Sequence, residues 1–268
     1  MLWAAHHIAA RDPEASFVTL PSDHVILKEA AFHDALRQGF EFVEKAERLL
    51  ALGLPARTPN TSYSYIQKED RMPGHDGIYR IKTIAEKPPR DMAEIFVRSG
   101  EFLWNAGIYF GKARTVIDSF NRDVPDMASR FDVGPEFYSG EEETRFIADV
   151  YPKTSSLPLE YAIFDRAGNS FVLEADLGWS DLSTWNALHA ISPKSKEGNV
   201  TQNCRTLLYG CKDCIVAAEG DKVVVVSGLK DYIVADTDNA LLICPIEAEQ
   251  RIRNIVNDIR ERFGGSYT

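Results

Sequence analysis

The chain has 268 residues, 44% of them hydrophobic and 26% charged, with 30 basic against 40 acidic side chains and a formal net charge of -10. That balance is ordinary for a folded protein of one large or two modest domains, and it excludes disorder and recognition of nucleic acid through phosphate neutralisation. A nucleotide, which needs only local cations, stays open as a ligand. The first ten residues carry two histidines, no lysine or arginine, and only a short apolar stretch. They read neither as a signal peptide nor as a membrane span, so cytoplasmic residence and no membrane partner are expected.

Met1 begins inside a helix that leads to the apolar strand Phe17-Val18-Thr19-Leu20. That strand runs into Pro21-Ser22-Asp23-His24-Val25-Ile26 and so delivers a carboxylate to its carboxyl end, where open α/β sheets bind ligands. From Ala30 to Gly53 the apolar residues recur at spacings of three and four, which predicts one helix ended by Gly53 and Pro55. Tyr63 to Gln67 and Tyr79 to Ala85 alternate as paired strands joined by a polar turn-rich segment. Asp91 and Glu94 have capping-box spacing at the start of a short helix. Trp104 to Phe110 reads as a strand and Ala113 to Phe120 as a helix, followed by helical or irregular cover to residue 158. A second carboxylate arrives at Gly178-Trp179-Ser180-Asp181, after the apolar strand Phe171-Val172-Leu173.

Alternating strands and helices to about Ile191 imply a largely parallel sheet with helices on both faces. After Pro193 short β-branched segments replace them, giving a division into residues 1–193 and a β-rich domain of residues 194–268 that closes on a helix after Pro245. No internal repeat is read there. Cys211 and Cys214 have the spacing of a zinc or redox pair, but Cys204 and Cys244 stand alone, so four free thiols are expected.

Two aspartates at converging strand ends are able to share one Mg2+, which favours one or two carboxylates together with substrate phosphates. The alternative is structural: Asp23 closing a turn and Asp181 capping the helix of Trp185 and Leu188. Between them lie Glu86-Lys87-Pro88 and Trp104-Asn105-Ala106-Gly107. A lysine suits a phosphate as a point charge. An asparagine both donates to and accepts from a diol, and Gly107 permits close backbone approach. Taken alone, Glu-Lys-Pro is a common surface tripeptide, and Trp104 reads equally as a core or pocket-wall aromatic.

These four strings, in this order and over almost the whole chain, resemble the mannose-1-phosphate guanylyltransferases. The resemblance implies an α/β fold, a Rossmann-like nucleotidyltransferase sheet of the GT-A type, with a small β-rich carboxyl-terminal domain. It implies GTP and mannose-1-phosphate as substrates and Mg2+ held by Asp23 and Asp181, with Lys87 on the sugar phosphate. It assigns Tyr63, Ser64, Glu86, Asn105, Gly107 and Glu160 to the sugar. His24 is left out, because a phosphate nucleophile is already ionised and needs no base.

The chain departs from the family in three respects. Family members open with a strand, a Gly-rich nucleotide loop and a helix upstream of the first aspartate, and here no phosphate loop is found. The family's Thr-Gly-Tyr-Gly-Tyr-Ile is Thr61-Ser62-Tyr63-Ser64-Tyr65-Ile66, where a positive φ at Ser64 would be strained, and Ser183 replaces another glycine. A sheet lacking its first strand implies aggregation or a homodimer through the exposed edge. Two further readings follow: a non-catalytic homologue or assembly subunit, and a nucleotidyltransferase for another hexose-1-phosphate.

Overall fold

The computed structural model describes every residue other than Ser139, Ala167 and Thr268. In chain order the strands and α-helices are α1 (Leu2–Ala9), β1 (Ser16–Thr19), β2 (His24–Ile26), α2 (Glu29–Glu44), β3 (Leu49–Pro55), β4 (Tyr65–Arg71), β5 (Ile78–Ala85), α3 (Arg90–Ser99) and β6 (Phe102–Lys112). Then come α4 (Ala113–Asp123), α5 (Pro125–Phe131), α6 (Glu141–Val150), β7 (Ser170–Glu174), β8 (Trp179–Asp181), α7 (Trp185–Ile191), six short strands β9 (Val200–Gln202), β10 (Arg205–Tyr209), β11 (Ile215–Ala218), β12 (Val223–Ser227), β13 (Tyr232–Asp236) and β14 (Leu241–Pro245), and α8 (Ile252–Phe263). By internal contacts they form two compact units, one of Met1–Ser22 with Ile26–Trp179, the other of Asp23–Val25 with Ser180–Thr268. The division at residue 193 read from composition falls inside the second of these, after α7.

The first unit is built on a six-stranded sheet in the order β1-β6-β3-β7-β5-β4, with β6 also bonded to β4. Among the described residues its one parallel pairing is β3 with β7; β1, β3 and β4 run antiparallel to β6, and β5 antiparallel to β4 and β7. The sheet is therefore mixed rather than largely parallel. The reason lies in the connections: β4 and β5 are a hairpin and so pair antiparallel, and β6, reached through α3, keeps the sense of β5 and inserts beside β1, β3 and β4, which run the other way. One face packs on Leu2 and Ala5 of α1 and Val116 and Phe120 of α4, the other on Ala35, Phe42 and Val43 of α2.

The predicted helix from Ala30 to Gly53 is corrected by the structure. It stops at Glu44, and Leu49 to Leu54 form the central strand, in which every residue is buried. A strand covered on both faces reads as a continuous apolar run, and that run happened to prolong the helical spacing of the residues before it. The capping box at Asp91 is also absent: Pro89 is the N-cap of α3, without a side-chain cap, and Arg90 instead pairs with Glu94 one turn on.

The second unit does contain a repeat. Val200 pairs with Ile215 and Ile215 with Ile233, while Arg205 pairs with Val223, all in parallel register. The chain thus coils on itself, stacking strand on strand. Cys211, Cys214, Val216, Val226 and Val234 fill the interior of the coil. All four cysteines are free; the Cys211 and Cys214 thiols donate to main-chain carbonyls, Val226 O at 3.4 Å and Lys212 O at 3.3 Å. Burial pushes the Cys214 thiol up, away from the thiolate that a metal or redox role requires. Glu249 lies in the 3-10 turn Ile246–Arg251 that leads into α8 and accepts from the main-chain amides of Trp185 and Asn186 at the start of α7.

Candidate functional site

Strand β6 carries Asn105 on the face that also bears Tyr109, four residues on and therefore on the same side. The Asn105 amide nitrogen donates to the Tyr109 hydroxyl at 2.7 Å and to Glu160 Oε1 at 2.9 Å. Its Oδ1 accepts the amide of Gly107 at 3.1 Å, and its own main-chain N–H donates to Ser64 O at 2.8 Å. Gly107 has φ of 68°, a conformation that glycine adopts without strain, and this turns its amide back onto the asparagine. Glu160 opens a π-helical turn, Glu160–Phe164, whose Ala162, Ile163 and Phe164 are buried. The turn fixes where the carboxylate stands, with Oε1 accepting from Asn105 and the Tyr109 hydroxyl also bonded to the carboxylate. Burial, then the Glu160 charge, push the Tyr109 phenol up, so it stays protonated and can serve the network as donor and acceptor.

Glu86 and Lys87 follow the end of β5 and are exposed. The Glu86 amide donates to the hydroxyl of Tyr161, next to Glu160, at 3.3 Å. Lys87 has φ of 42° immediately before Pro88. Left-handed backbone at a non-glycine residue before proline is disfavoured, by on the order of 1–3 kcal/mol, and such strain gathers at functional positions. Ser64, in contrast, is not among the residues of positive φ, so the strain expected there is absent. Ser62 and Ser183 donate main-chain N–H bonds to Asn60 Oδ1 at 2.8 Å and Asp181 Oδ1 at 2.7 Å.

Asp23 and Asp181 lie together in the second unit. Asp23 precedes β2 and Asp181 ends β8, and these two strands form a two-stranded sheet. Leu182 N donates to Asp23 O at 2.9 Å. His24 Nε2 is 3.8 Å from Asp23 Oδ1. Burial pushes the His24 imidazole down against the pull of Asp181 and then Asp23, so one ring feels both carboxylates. Thr184, rather than Asp181, caps α7, accepting from Ala187 N at 3.1 Å. Among the described residues no three His, Cys, Asp or Glu side chains are grouped to hold a metal ion. The hard donor set fits one magnesium ion whose remaining positions go to phosphate oxygens and water, since neither aspartate is paired with a lysine or arginine among the described residues.

Tyr63 stands apart from the Asn105 group. Its ring meets Trp104 edge-on at 5.3 Å and Trp179 at 5.1 Å, placing it with the aromatic residues on the other side of β6. The sequence reading missed Tyr109 and Tyr161. The signal for Tyr109 was its even spacing from Asn105 along a strand; Tyr161 had none beyond its place next to Glu160.

A family profile described as nucleotidyl transferase matches residues 1–198, and the chain belongs to that family. A second profile, described as a MannoseP isomerase/GMP-like beta-helix domain, matches residues 208–259, in accord with the coiled second unit. Among curated relatives, a mannose-1-phosphate guanylyltransferase of Escherichia coli is 31% identical over 268 residues, covering 97% of this chain and 54% of its own length. A putative mannose-1-phosphate guanylyltransferase of Vibrio cholerae is 28% identical, covering 98% of the chain and 56% of its own length. The chain spans about half the length of these curated relatives. A solved Thermus thermophilus structure, described as a mannose-1-phosphate geranyltransferase, has the same fold, with a TM-score of 0.81 at 24% identity over 97% of this chain and 74% of its own.

Proposed function

We propose that the chain carries the sugar and metal sites of a mannose-1-phosphate guanylyltransferase, which converts GTP and mannose-1-phosphate to GDP-mannose and pyrophosphate. A phosphate oxygen of the sugar attacks the α-phosphorus of GTP, the bond to the bridging oxygen breaks, and pyrophosphate leaves; no proton is taken from the nucleophile. The observation that carries this reading is the Asn105–Glu160–Tyr109 network, a fixed set of donors and acceptors suited to vicinal hydroxyls. The names of the relatives supply the substrate.

In this reading Glu160, Glu86 and the Gly107 turn hold the pyranose hydroxyls, Asn105 positions Glu160 and accepts from a hydroxyl through the second lone pair of its Oδ1, Ser64 sets the Asn105 backbone, and Tyr63 lines the aromatic side. Lys87 meets the sugar phosphate, its strained backbone fixing where the ammonium projects. Asp23 and Asp181 would hold Mg2+, which supplies Lewis-acid neutralisation of the triphosphate when bound. No helix among the described residues is long and apolar enough to cross a membrane; we place the reaction in the cytoplasm, where four free thiols are at home. Strand β1 ends the sheet order, and pairing of two copies through that edge is part of the proposal, to be read by sedimentation.

The test is pyrophosphate release from GTP and mannose-1-phosphate with Mg2+, on this chain and on a version preceded by a Gly-rich phosphate loop. Release that disappears in Lys87→Ala supports the reading. No release from either folded protein sinks it.

A further inference from the structure

Residue 104 of β6 points away from Asn105, and its indole forms one wall of a 350 Å3 cavity at the carboxyl ends of the parallel neighbours β3 and β7. Trp179 forms another wall, and Lys28, Arg57 and Asp176 line the rim. The three charged residues come from separate segments: the start of α2, the loop after β3, and the loop after β7. Asp176 Oδ2 receives both cations, Lys28 Nζ at 2.7 Å and Arg57 at 2.8 Å. One carboxylate against two cations leaves the rim with an excess positive charge, and both cations keep N–H groups that Asp176 does not use. The cradle is built for closeness. Gly178 has φ of 58°, and a Cβ there would come within 3.2 Å of Leu27 Cβ and 3.3 Å of Lys28 Cγ, so only glycine lets the lysine stem lie against this wall without a shift. The Trp104 Nε1 is buried without a hydrogen-bond partner, an unused donor on a residue of the wall.

We infer that this cavity binds a phosphate monoester, its phosphate on Lys28 and Arg57 and its ring against Trp104 and Trp179. A carboxylate ligand would take only one fork of donors, whereas a dianionic phosphate matches a rim with two cations. The volume is at the low end for small-molecule pockets and suits one ring with one phosphate rather than a nucleoside diphosphate sugar. Hexose phosphates and nucleoside monophosphates share this chemistry. The site lies on the opposite face of β6 from the Asn105 group; it shares with the proposed reaction only Tyr63, which packs against both tryptophan walls.

The experiment is a tryptophan-fluorescence titration of the whole chain in a Glu160→Gln background, which disables the other face. Mannose-1-phosphate, GMP, inorganic phosphate, free mannose and guanosine are the probes. At least one phosphate ester is expected to quench the emission, and Lys28→Ala with Arg57→Ala to weaken that ester by about tenfold or more, while Arg57→Lys retains most of the affinity. The tighter of the two esters identifies the source. Unchanged affinity in the double variant, failure of both esters to bind, or inorganic phosphate binding as tightly as either ester overturns the inference. Both cations are more than half exposed, so the variants are expected to fold, and a thermal melt verifies it. Loss of pyrophosphate release with this binding intact would count against the proposed function alone.

Discussion

Two neighbouring residues of one strand, Trp104 and Asn105, face two different kinds of site. On the Asn105 side every polar atom of the side chain is already engaged, with Tyr109, Glu160 and the Gly107 amide. On the Trp104 side the charges sit at an exposed rim around an open cavity. The difference teaches how period-two alternation lets one strand support both a preorganised hydroxyl reader and an adaptable anion pocket. The first depends on geometry fixed before binding; the second depends on charge.

The largest expected effect tests that distinction directly. Asn105→Ala removes the hub of the network and should lower kcat/KM for mannose-1-phosphate by about 100-fold, as loss of one preorganised donor set does. Glu160→Gln keeps the shape but exchanges an acceptor for a donor, and should fall in the same direction. Trp104→Phe keeps the aromatic wall and should change the rate by less than about threefold. Equal losses from Asn105→Ala and Trp104→Phe would erase the comparison.

A packing change should sharpen it from below. Gly53 sits opposite Asn105 in register, beside the irregularity between Ala51 and Gly53 in β3. A Cβ there would lie 2.6 Å from Leu103 Cδ1 and 2.7 Å from Val172 Cγ2, both in the core on the Asn105 side. Gly53→Ala should therefore cost about 1–3 kcal/mol in a urea titration. It should also reduce sugar-phosphate turnover while sparing binding at the Lys28–Arg57 rim. Next in size, Tyr109→Phe removes the hydroxyl that accepts from Asn105 in a buried setting, for about 1 kcal/mol of stability.

Asn105 with Gly107 was legible because that pair is uncommon inside an apolar strand, and the fold joins it to Glu160; Glu86-Lys87-Pro88, a common surface tripeptide, was legible only through the resemblance. What escaped was set by contacts distant in sequence. The helix read through to Gly53 failed because Leu49 to Leu54 are buried on both faces, and an apolar run without alternation carries no period of its own. The coil of the second unit escaped because its strands recur at unequal intervals, Val200 to Ile215 and Ile215 to Ile233, so no fixed period marks them. The rim joins Lys28, Arg57 and Asp176, residues up to 148 positions apart, and each alone is an ordinary surface charge.

That rim also supplies the smallest expected effect. The bond from Lys28, with the Gly178 amide and the nearby charges of Lys28 and Arg57, holds the Asp176 carboxyl below its ordinary value. A depressed carboxylate contributes stability that is present above the unfolded-state value and is lost as pH falls through the lower folded one. Wild type and Asp176→Asn should therefore differ by a small, constant amount at neutral pH, and their melting temperatures should converge only below the ordinary carboxylate range. Because all three partners are well exposed, added salt should shrink the gap. A gap that instead grew on acidification would mean that the aspartate is protonated while still held by its two cations, and the excess positive charge at the rim would then have another source.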